Sequence, residues 1–117
     1  MADRRRPAFL AASGSAVLSA PLQSRARVQT PRADAFLFKL AKHFAKKVPV
    51  ALGSEQAQIE FAFGQCELLS QDGGQVLLIQ CACPHARAQI TMHEVLASHL
   101  ALMSRQAPLE LNWENLP

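Results

Sequence analysis

The chain has 117 residues, half of them hydrophobic, which suits one small domain with a single modest core rather than two. No apolar run approaches the roughly 20 residues of a membrane span. The net charge of +3 sits at the front, where five arginines up to Arg27 meet only Asp3; beyond it seven bases meet eight acids, and so neutral a body argues against binding nucleic acid.

Met1 to about Gln23 is rich in Ala, Ser and Gly and has no strong hydrophobic period. Arg4-Arg5-Arg6, the diluted apolar stretch Pro7 to Leu18 and the small residues Leu18-Ser19-Ala20 have the parts of a targeting signal. A disordered tail or a start assigned too early explains the same residues. The expected organisation is a weakly structured tail over 1–24 and a single domain over 25–117. Three cysteines leave at least one thiol unpaired within the chain, so a reducing cytoplasm is the expected compartment.

Ala26 to Gln29 reads as a short extended segment. Thr30-Pro31 is a helix start, with Thr30 as N-cap and Pro31 at the first helical position, where its missing N–H costs nothing. Phe36, Leu37, Leu40 and Phe44 recur at helical spacing and define one apolar face. Pro49 pushes Val48 into extended geometry and ends the helix near Lys47. Three strands are expected next: Val48 to Leu52, Gln58 to Leu69 and Gln75 to Cys83. In the second, Ile59, Phe61 and Phe63 share one parity, but Cys66 and Leu68 take the other. A bulge at Gly64 would produce that phase change, and Asp72-Gly73-Gly74 would make a tight turn.

A second helix is expected from about Ala86 to Ser104, with Met92, Val95, Leu96, His99, Leu100 and Met103 as its buried stripe. Leu109, Leu111 and Trp113 alternate as a final strand, whose position at a sheet edge would allow a homodimer. The order α-β-β-β-α-β predicts an α+β fold with a mostly antiparallel sheet and two helices on one face.

Lys39 to Val50, Phe61 to Leu68, Ala97 to Leu100 and Leu109 to Trp113, in that order, resemble the bacterial domain-of-unknown-function family 2218. The resemblance covers about Arg25 to Glu114. It implies a small cytoplasmic domain whose element order is similar to the C-terminal domain of phosphohexomutases, within the TATA-binding-protein-like folds. Members of that family also occur appended to flavin-dependent siderophore-interacting proteins. An aldolase name attached to some relatives does not fit, because such aldolases are barrels of roughly 250 residues. The family pattern marks His43, Lys47, Gly64, Cys66, His99 and Trp113. The run Cys81-Ala82-Cys83-Pro84-His85 departs from it.

Three constellations carry chemistry. His43, Cys66 and His99 offer two imidazoles and a thiolate, a zinc or iron set with an open position. Their bland counterpart is a core histidine, an inert thiol and a capping histidine. Cys81-x-Cys83-x-His85 places two thiols on one face, about 7 Å apart by strand rise. That is long for a disulfide, and two small hydrophobic residues facing the core is the plainer reading. Finally, Lys39, Lys42, His43, Lys46 and Lys47 form a cationic helix edge that could receive a carboxylate, a phosphate or an acidic partner; a solvated helix face is the alternative. Glu60 and Glu67 read as solvent-facing strand residues, and no nucleophile-elbow motif is present.

Two functions follow from these residues. One is a non-catalytic binding or accessory module, linked through the family resemblance to iron–siderophore metabolism, with Lys42, His43 and Lys47 receiving a small anionic ligand or partner protein. The other is a small metal-dependent enzyme or metal carrier built on His43, Cys66 and His99.

Overall fold

The computed structural model describes residues 21–104 and 111–116. Along the chain run β1 (Leu22–Gln29), α1 (Ala33–Phe44), β2 (Val50–Leu52), β3 (Gln56–Phe61), β4 (Gly64–Gln71), β5 (Val76–Cys83), α2 (Ala86–Met103) and β6 (Glu114–Leu116), with a 3-10 turn over Asp72–Gly74. The strands form one sheet in the order β2-β3-β4-β5-β1-β6. Each neighbouring pair is antiparallel. The α+β class and the order of helix, strands, helix and strand are as expected, with two strands more. No helix among the described residues is long and apolar enough to cross a membrane.

The first added strand is β1, of which Ala26 to Gln29 is only the second half. Its inward positions Ser24, Ala26 and Val28 are small and buried, and the arginines between them hide the alternation. The second comes from Gln58 to Leu69, which is a hairpin rather than one bulged strand. Phe61 pairs with Gly64 across the two-residue turn Ala62-Phe63. Residues that face each other across a hairpin share a side of the sheet, so Ile59 goes with Cys66 and Ala57 with Leu68. The parity change at Gly64 is the arithmetic of a chain reversal.

Helix α1 begins two residues later than its proline suggests. Thr30 is buried, its amide donates to the Gln75 carbonyl, and its hydroxyl oxygen accepts the Arg32 amide at 3.1 Å. Thr30-Pro31 therefore makes a turn that leads into the helix. At the far end, the Lys47 and Val48 amides both donate to the Phe44 carbonyl, and Pro49 turns the chain into β2. Helix α2 starts at His85, whose Nδ1 accepts the Ala88 amide at 3.2 Å.

Ala33, Phe36, Leu37, Leu40 and Phe44 of α1 and Met92, Leu96 and Leu100 of α2 share one buried cluster with Val28, Ala57, Ile59, Cys66, Leu68, Leu77 and Ile79 of the sheet. Both helices thus lie on the same face of the sheet. Burying each such Leu or Ile contributes about 1.5–3 kcal/mol. On the opposite side of the sheet Glu67 is buried, opposite Gln58 and Gln80 in register, whereas Glu60 is exposed; the expectation of two solvent-facing carboxylates is half corrected. The final strand also shifts: Leu111 and Trp113 precede β6, which pairs with β1 at the sheet edge. Leu109 and most of the expected tail, residues 1–20, lie outside the described residues.

Candidate functional site

The last turn of α1, the middle of α2 and the β3–β4 hairpin meet at one end of the core. The stripe that buries Leu37, Leu40 and Phe44 leaves His43 one residue around the helix, exposed but beside the core. His99 approaches it from α2, and the two imidazole rings lie 4.8 Å apart at 56°. Phe44 sits 4.7 Å from His99 and 5.0 Å from Phe61, which stacks on Phe63 at 5.0 Å and 15°. His43, His99, Phe44, Phe61 and Phe63 therefore form a continuous run of rings, with Phe63 half-buried at its end.

The tautomer of His99 follows from its environment. Its Nδ1 lies 2.7 Å from the Val95 carbonyl, so that nitrogen carries the proton and donates. In the neutral ring Nε2 then keeps the lone pair. His43 is held below the usual imidazole range, first by partial desolvation against its neighbours, then by the charges of His99, Lys46 and Lys47. Lys42 instead lies over the Phe38 ring, 5.3 Å from its centroid. Of the expected trio, His43 and Lys47 act on one another, Lys46 joins them, and Lys42 leans onto another side chain.

The expected metal triad is not assembled. Among the described residues no group of three His, Cys, Asp or Glu side chains is placed to hold a metal. His43 and His99 come together, but Cys66 is fully buried in the sheet and paired in register with Ile59 and Cys81. Strand pairing fixes that position, whereas its imidazole partners ride on helices. The Cys81-x-Cys83-x-His85 run is also dispersed: both thiols are core residues and His85 caps a helix.

A second cluster lies under α2. The Cys66 and Cys81 thiols hydrogen-bond each other; that bond, then burial, push the Cys81 thiol far above its ordinary range. Burial, with Cys81 nearby, raises Cys83 to about 11. Ser24, fully buried, interacts with Cys81 and lies 2.8 Å from Nε2 of His93. His93, lowered by desolvation, stacks on Trp113 at 3.8 Å and 5°. Sequence reasoning did not single out Ser24 or His93. Neither belongs to a motif, and 69 positions separate them; only the pairing of β1 with β5 under α2 joins them.

Comparison with known proteins gives one family and one solved structure similar to this chain. The profile described as "uncharacterized protein conserved in bacteria (DUF2218)" matches residues 25–114. The NMR structure of PA4090 from Pseudomonas aeruginosa is similar at 30% identity and a TM-score of 0.68, over 80% of this chain and 95% of that one. No curated protein matches the chain.

Proposed function

The chain belongs to the uncharacterized bacterial family DUF2218, and from that premise we propose that it is a binding or accessory module that receives a small anionic ligand at the His43–His99 edge. The observation that carries this reading is the ring contact of two imidazoles beside Lys46 and Lys47. A carboxylate or phosphate there would take hydrogen bonds from protonated His43 and charge from the two lysines. The run of Phe44, Phe61 and Phe63 adds an apolar surface beside the charges. A ligand that is both anionic and aromatic uses both halves. Catecholate and salicylate iron chelators have that chemistry, which is how the reading connects to iron–siderophore metabolism.

The free Nε2 of His99 favours a second reading. Metal-binding histidines commonly donate their other ring N–H to a carbonyl, as His99 does to Val95. A divalent transition metal held by His43 and His99 would keep positions open for an anionic co-ligand.

One NMR titration tests both. Labelled protein is titrated separately with salicylate, inorganic phosphate and zinc, alongside a His43→Ala, His99→Ala double variant. The binding-module reading expects salicylate to shift the resonances of His43, His99, Lys46, Lys47 and Phe61, with that response lost in the variant. Zinc shifting the two imidazoles with no response to either anion would favour the metal reading. No response at this edge to any probe would overturn both.

A further inference from the structure

The sheet ends in two unlike edges. One is β6, which opens with the exposed Glu114. At the other, β2 pairs with β3 alone among the described residues, and its sequence Val50-Ala51-Leu52 holds neither a charge nor a proline. Proteins commonly blunt a sheet edge with charged side chains, proline or a bulge; here shortness is the one such device.

Two hydrogen bonds fix the direction of the free backbone groups. The Glu60 amide donates to the Pro49 carbonyl, and the Gly53 amide donates to the Gln56 carbonyl. Both bonds lie on the register that pairs Val50 with Ile59 and Leu52 with Ala57. Bonded and non-bonded positions alternate along an antiparallel pair, so Ala51/Gln58 is bonded as well. The peptide groups of Ala51 therefore turn toward β3, and those of Val50 and Leu52 point out of the edge. The N–H that Pro49 lacks would also have turned toward β3, so this proline leaves the free side unguarded.

Side chains beside the edge are apolar and uncovered. Leu52 is 41% exposed and stands opposite buried Ala57, on the side of the sheet that carries the helices. Phe38, 51% exposed with Lys42 over its ring, lies five residues from His43. That spacing is about 140° around α1. His43 faces α2, so Phe38 lies on the opposite flank, toward β2. Charges are divided between the two ends of the strand. Lys46 and Lys47 precede β2, whereas Glu55 follows it and shares a pocket with Asp34 and Asp72. The neighbouring Arg32 leans over the Phe36 ring.

We propose that β2 is a self-association edge, paired antiparallel with β2 of a second copy about a two-fold axis at Ala51. Val50 then faces the second copy's Leu52, and Leu52 its Val50, so the outward N–H and C=O groups of all four residues are matched. Ala51 meets its own counterpart as a non-bonded pair. The helices of both copies lie on one side of a continuous sheet, and Leu52 and Phe38 are covered from across the axis. Each copy's lysine end meets the other's Glu55 end. A parallel pairing would set like charges together, and an unrelated extended segment would satisfy the backbone without answering this charge pattern. The homodimer thus uses β2 rather than the final strand.

The test is sedimentation equilibrium of the full-length chain over a wide concentration range, with amide NMR spectra across the same range. So short an edge belongs with small interfaces, below about 1,200 Å², and weak, concentration-dependent dimerisation is expected. The Val50 and Leu52 amides should shift with concentration and be protected from exchange in the dimer. Leu52→Lys is expected to abolish the dimer, with far-UV circular dichroism confirming its fold. Glu55→Lys, and separately the pair Lys46→Glu and Lys47→Glu, are each expected to weaken self-association roughly tenfold, because attraction becomes repulsion at both ends. An equimolar mixture of these two proteins should recover it, since opposite charges then meet at each end. A chain that is monomeric at every concentration would overturn the proposal. A dimer indifferent to the substitutions would overturn it by placing the contact elsewhere, and a mixture that fails to recover would overturn the antiparallel register.

Discussion

Gly64 shows how one residue can be held by two constraints at once. Its φ of +153° lies where side chains are rarely found, and a Cβ there would fall 2.8 Å from both the Ala82 carbonyl oxygen and the Cys83 sulfur. Neither neighbour is a flexible chain end: one is sheet backbone, the other a core thiol. Gly73 makes the useful contrast, because its φ of +64° is equally unusual for a side chain but a Cβ there meets nothing. Gly73→Ala is therefore expected to cost about 1 kcal/mol, the conformational part alone. Gly64→Ala adds a clash that the hairpin can relieve only by moving, for a total of about 2–4 kcal/mol. Urea denaturation of the two variants checks the order. Equal costs would mean that the close approach at Gly64 is not a constraint in solution.

At the scale of elements, the boundaries are set by side chains that satisfy backbone groups. His85 stands where Ser, Thr, Asp or Asn would usually cap a helix, and its Nδ1 takes the Ala88 amide. Replacing it with Ala should cost about 1 kcal/mol, and Asn should recover most of that, as thermal melts of the two variants would show. Without a measurable loss in His85→Ala, α2 would be anchored by its packing alone. The same element explains what the sequence disclosed and what it withheld. The apolar stripes of both helices and the parity change at Gly64 were legible because each is a local signal, whereas Pro31 and Pro49 bracket α1 without marking its first and last residues. The nature of the Gly64 event was not, since a bulge and a hairpin both reverse parity and only cross-strand pairing separates them. The site divides in the same way. His43 beside its lysines is a local pattern on α1, and His99 could be placed on the inward side of α2. The burial of Cys66 opposite Cys81, and the meeting of Ser24 with His93, depend on register between strands far apart in the chain.

For the molecule as a whole, the two shifted histidines make stability depend on pH in one direction. His43 and His93 are both held below the ordinary imidazole value in the folded chain, while in the unfolded chain they titrate near about 6.5. As pH falls through that value the unfolded state takes up protons first. The contribution of these two residues is thus complete above the unfolded value and is lost as pH falls through the lowered ones. The melting temperature is expected to fall by a few degrees between about pH 7.5 and 5.5, with a flatter profile in His93→Gln and in His43→Gln. Anion binding acts on only one of the two. An anion at the His43–His99 edge favours the protonated imidazole and raises its value toward or past the unfolded one, so bound salicylate should flatten the His43 part of the profile while leaving the His93 part unchanged. Affinity must then rise as pH falls, because by linkage a ligand that raises a proton's affinity has its own affinity raised by that proton. Melts at four pH values, with and without salicylate, in wild type and both single variants, separate the two histidines. An identical salicylate effect in wild type and His43→Gln would place the anion somewhere other than this edge.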